Sequence, residues 1–185
     1  MPRAAFLPLM LAACGSAAQP VSDAFAGVPG VTLERYAVSG TTADAVRRSM
    51  NARRPVDPND GTRVDAGTRL RIDWRWKGDG RGQCDLSTLQ VSFSARVTMP
   101  QLADRRAPAA LRIKWTRFVD SLAQHEGTHV RHAWERVPII AAAIRNGPCA
   151  GANARGDAAL ARVLAWDRDY DRRTNHGERE GIAFP

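Results

Sequence analysis

Lysine is almost missing from this chain. Among 27 basic residues the only lysines are Lys77 and Lys114, so a net charge of +8 rests on arginine. Those arginines are scattered, and no Arg-rich helix is interleaved with aromatics, which argues against a built nucleic-acid surface; no nucleic-acid partner is expected. Internal repeats, low-complexity tracts and a second-domain boundary are also lacking, so 185 residues read as one domain with room for a real core. Cysteine is scarce, with Cys14, Cys84 and Cys149 alone, and none lies in a CxxC or other zinc-ligand spacing. Histidine is scarcer than its arrangement would suggest. There are four, and three of them (His125, His129, His132) fall in one short stretch.

The three cysteines divide by setting. Leu11-Ala12-Ala13-Cys14 resembles a bacterial lipobox, preceded by Arg3 and a short apolar run from Phe6 to Leu11. That run is too short to stay in a bilayer as a helix and suits a signal segment. Residues 1–14 are therefore expected to be a lipoprotein-type signal peptide, with Cys14 anchoring the protein to a membrane, and residues 15–30, small and polar with two prolines, a flexible tether. The expected location is the cell envelope, either lipid-anchored at the outer membrane or periplasmic. In an exported protein the remaining pair, Cys84 and Cys149, is expected to form a disulfide.

Residues 31–185 are expected to make a single α+β domain, a small antiparallel sheet packed against helices. Val31 to Val38 reads as a strand whose alternation slips in the middle, the mark of a bulge. Thr41 and Asp44 suggest a helix start, with a short helix over Ala43 to Asn51. Leu70, Ile72, Trp74 and Trp76 alternate with polar residues, as do Leu89 to Met99, and a glycine-rich loop joins the two runs: an antiparallel pair. Pro100 is expected to end the second strand. Leu111, Trp115, Phe118, Val119, Leu122, Glu126, His129 and Ala133 keep the three-four spacing of one helical face, with Pro138 expected to kink or break the helix. A last helix is expected over about Asp157 to Arg172.

The chemistry concentrates in His125-Glu126-Gly127-Thr128-His129, an H-E-x-x-H sequence on the long helix. Residues four apart on an α-helix differ by about 40° of azimuth, so His125 and His129 share a face and can grip a zinc ion from one side. Glu126 is then placed as general base in a zincin-type hydrolysis. Gly127 is unfavourable inside a helix, which close approach of another backbone would explain. A catalytic zinc usually has three protein ligands. His132 is a poor third, about 10 Å along the axis from His125. His176 is eligible if its polar segment folds back, and the carboxylates Asp167, Asp169, Asp171 and Glu178 compete with it.

The chain resembles the bacterial domain of unknown function 922 family, usually described as predicted secreted zinc-dependent proteases. The likeness is carried by Tyr36 to Thr41, Thr68 to Trp74, Cys84 with the strand after it, Trp115 ahead of His125-Glu-Gly-Thr-His129, and a close of Tyr170-Asp171, Thr174, His176-Gly177 and Gly181. The resemblance implies a Zn2+ site and a peptidase-like fold. It raises His176 as third ligand, with Asp171 in an outer or alternative position. The function expected is an exported zinc metallopeptidase acting on peptide or protein substrates, with Tyr170 donating to the developing oxyanion and the peptide pairing along the strand that ends near Thr98. The alternative is a non-catalytic zinc-binding envelope lipoprotein acting as a binding or structural module.

Overall fold

The computed structural model describes residues 23–57, 59–78 and 84–184. Cys14, the signal segment 1–14, residues 15–22 of the tether and most of the glycine-rich loop lie outside the described residues. The elements in chain order are β1 (Val31–Val38), α1 (Ala43–Asn51), β2 (Gly67–Gly78), β3 (Cys84–Leu102), α2 (Ala109–Arg145) and α3 (Ala152–Thr174). Single 3-10 turns at Asp23–Phe25 and Glu178–Glu180 flank them. The N-cap of α1 is Thr42, whose hydroxyl accepts from the Ala45 amide at 3.3 Å, one residue later than expected. Among the described residues no helix is long and apolar enough to cross a membrane.

The three strands form one mixed sheet in the order β1-β3-β2, not the all-antiparallel sheet expected. The β2–β3 pair is antiparallel, as the glycine loop dictates, with one irregularity between Arg75 and Lys77. The chain between β1 and β2, however, is spent on α1 and a long loop, and β1 lies on the far side of β3, parallel to it. Its register runs one for one from Val31–Ala95 to Val38–Leu102, so the slip in its alternation produces no bulge. The strand containing Thr98 is thus central: residues 95–98 have neighbours on both sides, and no peptide can add there. β3 also runs through Pro100. Because β2 stops opposite Thr98, β3 has one neighbour beyond that point, a setting in which a strand tolerates proline.

Helix α2 continues unbroken through Pro138, which sits on its exposed side. Its first half, with α1, β1 and the C-terminal Ile182 and Phe184, builds one apolar cluster around Val97, Phe118 and Val130. Its second half, with α3 and the outer part of the sheet, builds another around Ile72, Ile140, Ile144 and Val163. Trp74 belongs to this second cluster. Its indole lies against Gly156, where a Cβ would stand 2.8 Å from the ring, and donates to Asn153 Oδ1 at 2.9 Å.

Part of the stretch expected as a tether, residues 15–30, is packed on the domain. Ala24 and Phe25 are each 2% exposed and rest on α2. Gly127 makes the contact possible: a Cβ there would be 2.7 Å from the Ala24 carbonyl oxygen. Cys84 and Cys149 form the expected disulfide, with Cα atoms 5.8 Å apart, tying the start of β3 to the turn between α2 and α3.

Candidate metal centre

Helices α2 and α3 are joined by a tight turn and run antiparallel, so a step of four along one meets a step of four back along the other. His125 comes opposite Asp171, and His129 opposite Asp167. The two imidazoles turn their Nε2 atoms to one point, 3.3 Å apart. Asp171 Oδ1 completes a triangle at 3.2 Å from His125 Nε2 and 3.0 Å from His129 Nε2. Each ring's other nitrogen is held by a different carboxylate: His125 Nδ1 by Glu180 Oε2 at 2.9 Å, and His129 Nδ1 by Asp167 Oδ1 in a short contact. An Nδ1–H donated to a carboxylate leaves the Nε2 lone pair directed at the shared point, the arrangement usual behind metal-ligating histidines.

The electrostatics follow from burial and these partners. Burial lowers the His129 pKa, but hydrogen bonds to Asp167 and Asp171 outweigh it and push it up to about 10. His125 is raised in the same way, burial being outweighed by Asp171, Glu126 and Glu180. Asp171 is held well below the ordinary carboxylate range, since the two histidines overcome its desolvation. Glu126, 4% exposed, moves the other way: burial pushes its carboxyl up against the opposing histidines and Thr68. Thr68 Oγ1 donates to Glu126 Oε2 at 2.7 Å, linking the start of β2 to the α2 carboxylate. The centre opens into a cleft of about 250 Å³ walled by the 55–67 loop, the start of β2 and the facing helices.

A model of a family described as bacterial protein of unknown function, DUF922, matches residues 33–177. The chain belongs to that family. No curated protein and no solved structure matches it. In this DUF922 chain the match covers both helices of the centre and the His176-Gly177 turn, and ends before Glu180.

Several residues stand where the sequence pointed. His125, Glu126 and His129 are buried together at the cleft floor. The third position is reversed. Asp171, expected in the outer or alternative place, completes the trio of ligand atoms that lie mutually within 4.8 Å, whereas His176 falls in an overlapping group with Asp57 and Asp171. The cause is the end of α3. Asn175 and His176 both take left-handed backbone, φ 51° and 50°, and the chain folds back, but the imidazole is turned to the 55–67 loop. His132 stacks flat on Trp166 at 3.6 Å, one helical step outside the centre. Tyr170, expected to donate to an oxyanion, has its ring stacked on His125 and its hydroxyl donating to Glu180 Oε1 at 2.8 Å, so it braces the brace.

Sequence reasoning missed Thr68, Glu180 and the part played by Asp167. For Asp167 a signal existed. Asp167 and Asp171 are four apart on an expected helix, mirroring His125 and His129 on the helix before it. Glu180 has no such signature, because its place depends on how the tail turns at Gly177.

Proposed function

We propose that this chain is an exported zinc-dependent metallopeptidase whose metal is held by His125, His129 and Asp171. The observation that carries the reading is the triangle of two Nε2 atoms and Asp171 Oδ1 with edges of 3.0–3.3 Å, backed by a carboxylate on each Nδ1. Ligand atoms about 2.0–2.2 Å from a tetrahedral zinc stand about 3.3–3.6 Å apart, so the donors fit after adjustments of a few tenths of an ångström. Three protein donors leave a fourth position, and the cleft gives it an approach. Zinc bound there supplies Lewis acidity towards a carbonyl and brings the acidity of water near neutrality.

The chain's own residues do the rest. Asp167 and Glu180 fix the tautomer and angle of the two imidazoles, and Tyr170 holds Glu180. Glu126 takes a proton from water and returns it to the leaving amine. Its carboxyl is raised by burial towards the working pH, where a shuttle is most effective. Thr68 fixes one of its oxygens. The Cys84–Cys149 disulfide fits an oxidising compartment and so the exported setting.

The test uses purified protein, zinc analysis and a mixed peptide library. Wild type is expected to hold zinc and cleave, and Glu126→Gln to keep the metal while losing at least about 100-fold in rate. Protein that stays metal-free in added zinc overturns the reading. Zinc bound without turnover in either form leaves the alternative, a binding or structural zinc module.

A further inference from the structure

His176 is the one histidine of the cleft that the proposed zinc trio leaves unused. Its Nδ1 stands 3.7 Å from Asp57 Oδ2 and 3.7 Å from Asp171 Oδ1, too far for hydrogen bonds to either. Its other nitrogen is 3.3 Å from Asp60 Oδ2. The ring is thus presented as His125 and His129 are, one nitrogen braced by a carboxylate and the other facing a set of donors. The facing atoms of Asp57, Asp171 and His176 lie mutually within 4.8 Å.

Asp57 adds an independent observation. Its side chain is 9% exposed, and its Oδ1 accepts from the Asn59 amide at 2.7 Å. Its Oδ2 makes no hydrogen bond among the described residues and is aimed at His176. Charge bears on the same group. Asp57, Asp60 and Asp171 stand around one imidazole, Asp171 being paired more closely with His125 and His129 and Asp60 exposed, and among the described residues neither Asp57 nor Asp60 has an arginine or lysine within ion-pair distance. Of the two arginines that line the cleft, Arg96 pairs with Glu34 at 3.1 Å, and Arg69 is exposed, with no carboxylate in ion-pair distance among the described residues. Within the cleft, Asp57 has no cationic partner besides the His176 imidazole among the described residues, a place that a divalent cation can fill.

We propose that Asp57, His176 and Asp171 form a second divalent-metal site, with Asp171 shared between it and the His125–His129 site, so that the cleft binds a pair of zinc ions. The inference rests on the zinc reading above, because Asp171 belongs to both sets. Imidazole with carboxylates suits zinc, and hydrolytic sites with two metals commonly place them about 3.5–4 Å apart. Asp60 is a positioning residue for the His176 ring.

The experiment is a zinc titration of tag-free, full-length, metal-depleted protein by calorimetry, with elemental analysis after dialysis. Wild type is expected to take two zinc ions per chain. Asp57→Asn, which keeps an oxygen for the Asn59 amide, and His176→Gln should each take one. Asp60→Asn should weaken the second equivalent by about 10- to 100-fold. Far-ultraviolet circular dichroism of each variant checks that the fold is intact. One zinc in wild type, unaffected by Asp57→Asn and His176→Gln, overturns the second site and leaves the first. Two that survive both variants overturn the assignment to these residues, and none overturns both sites together.

Discussion

Gly127 and Thr68 show how closely the centre depends on single atoms. Glycine inside a helix costs about 1 kcal/mol relative to alanine, so Gly127→Ala on an isolated helix would stabilise. Here the added Cβ would stand 2.7 Å from the Ala24 carbonyl oxygen and 3.0 Å from the Ala24 Cβ. The 3-10 turn is also fastened by Arg131, which donates to the same carbonyl at 3.0 Å, so it cannot shift without losing that bond. Overpacking of this kind costs about 1–3 kcal/mol, and Gly127→Ala is expected to lower stability in urea denaturation. A variant more stable than wild type would show that the turn does not bear on the helix. Thr68→Val removes the donor to a buried carboxylate and is expected to cost about 1–3 kcal/mol. It should also raise the Glu126 pKa further and move the acid limb of any hydrolysis to higher pH, with Thr68→Ser restoring the profile. An unchanged limb would detach Thr68 from the proton shuttle proposed for Glu126.

At the scale of elements, the helices and the β2–β3 pair were legible because their signals are local. A three-four stripe from Leu111 to Ala133 and strict alternation from Leu70 to Trp76 each need nothing beyond their own residues. The placement of β1 was not legible, since which edge of the sheet it joins depends on how α1 and the 55–67 loop pack, and no local pattern records that. The centre divides in the same way. His125, Glu126 and His129 are near neighbours in sequence, but that Asp171 and not His176 faces the two Nε2 atoms follows from the register of the α2–α3 hairpin and the left-handed turn at Asn175–His176. The disulfide acts on that hairpin from its far end, anchoring its turn to β3 beside the second apolar cluster. With a sequence separation of 65, the chain-entropy model gives it about 4 kcal/mol. The Cys84→Ser, Cys149→Ser double variant is therefore expected to lose about 2–4 kcal/mol in guanidinium unfolding while its zinc affinity stays within about twofold. A large loss of affinity would mean that the hairpin register, and with it the ligand triangle, depends on the clamp.

Over the whole molecule, the centre links folding to pH. In the metal-free chain His129 has its pKa pushed up to about 10 from 6.5. A group raised on folding stabilises fully where the unfolded chain is protonated too, below about 6.5, and that contribution drains away as pH climbs through the folded value. Asp171 works in the opposite direction. Held below its ordinary 3.8, it contributes fully above that pH and loses its effect as pH falls. The metal-free protein should therefore be most stable between about pH 4 and 6.5 and should weaken steadily towards pH 10. Zinc at the proposed centre is expected to reverse the alkaline side, because ligation there would need both imidazoles deprotonated at Nε2 and so would tighten as protons leave. At a free zinc concentration 100 times its dissociation constant the folded state gains about 2.7 kcal/mol. Melting temperatures measured from pH 4 to 10, with chelator and with zinc, should thus diverge as pH rises, the chelated curve falling and the zinc curve holding. Parallel curves would mean that zinc binds away from His125 and His129, and a chelated curve that is flat above pH 6.5 would remove the proton held between His129 and its two aspartates.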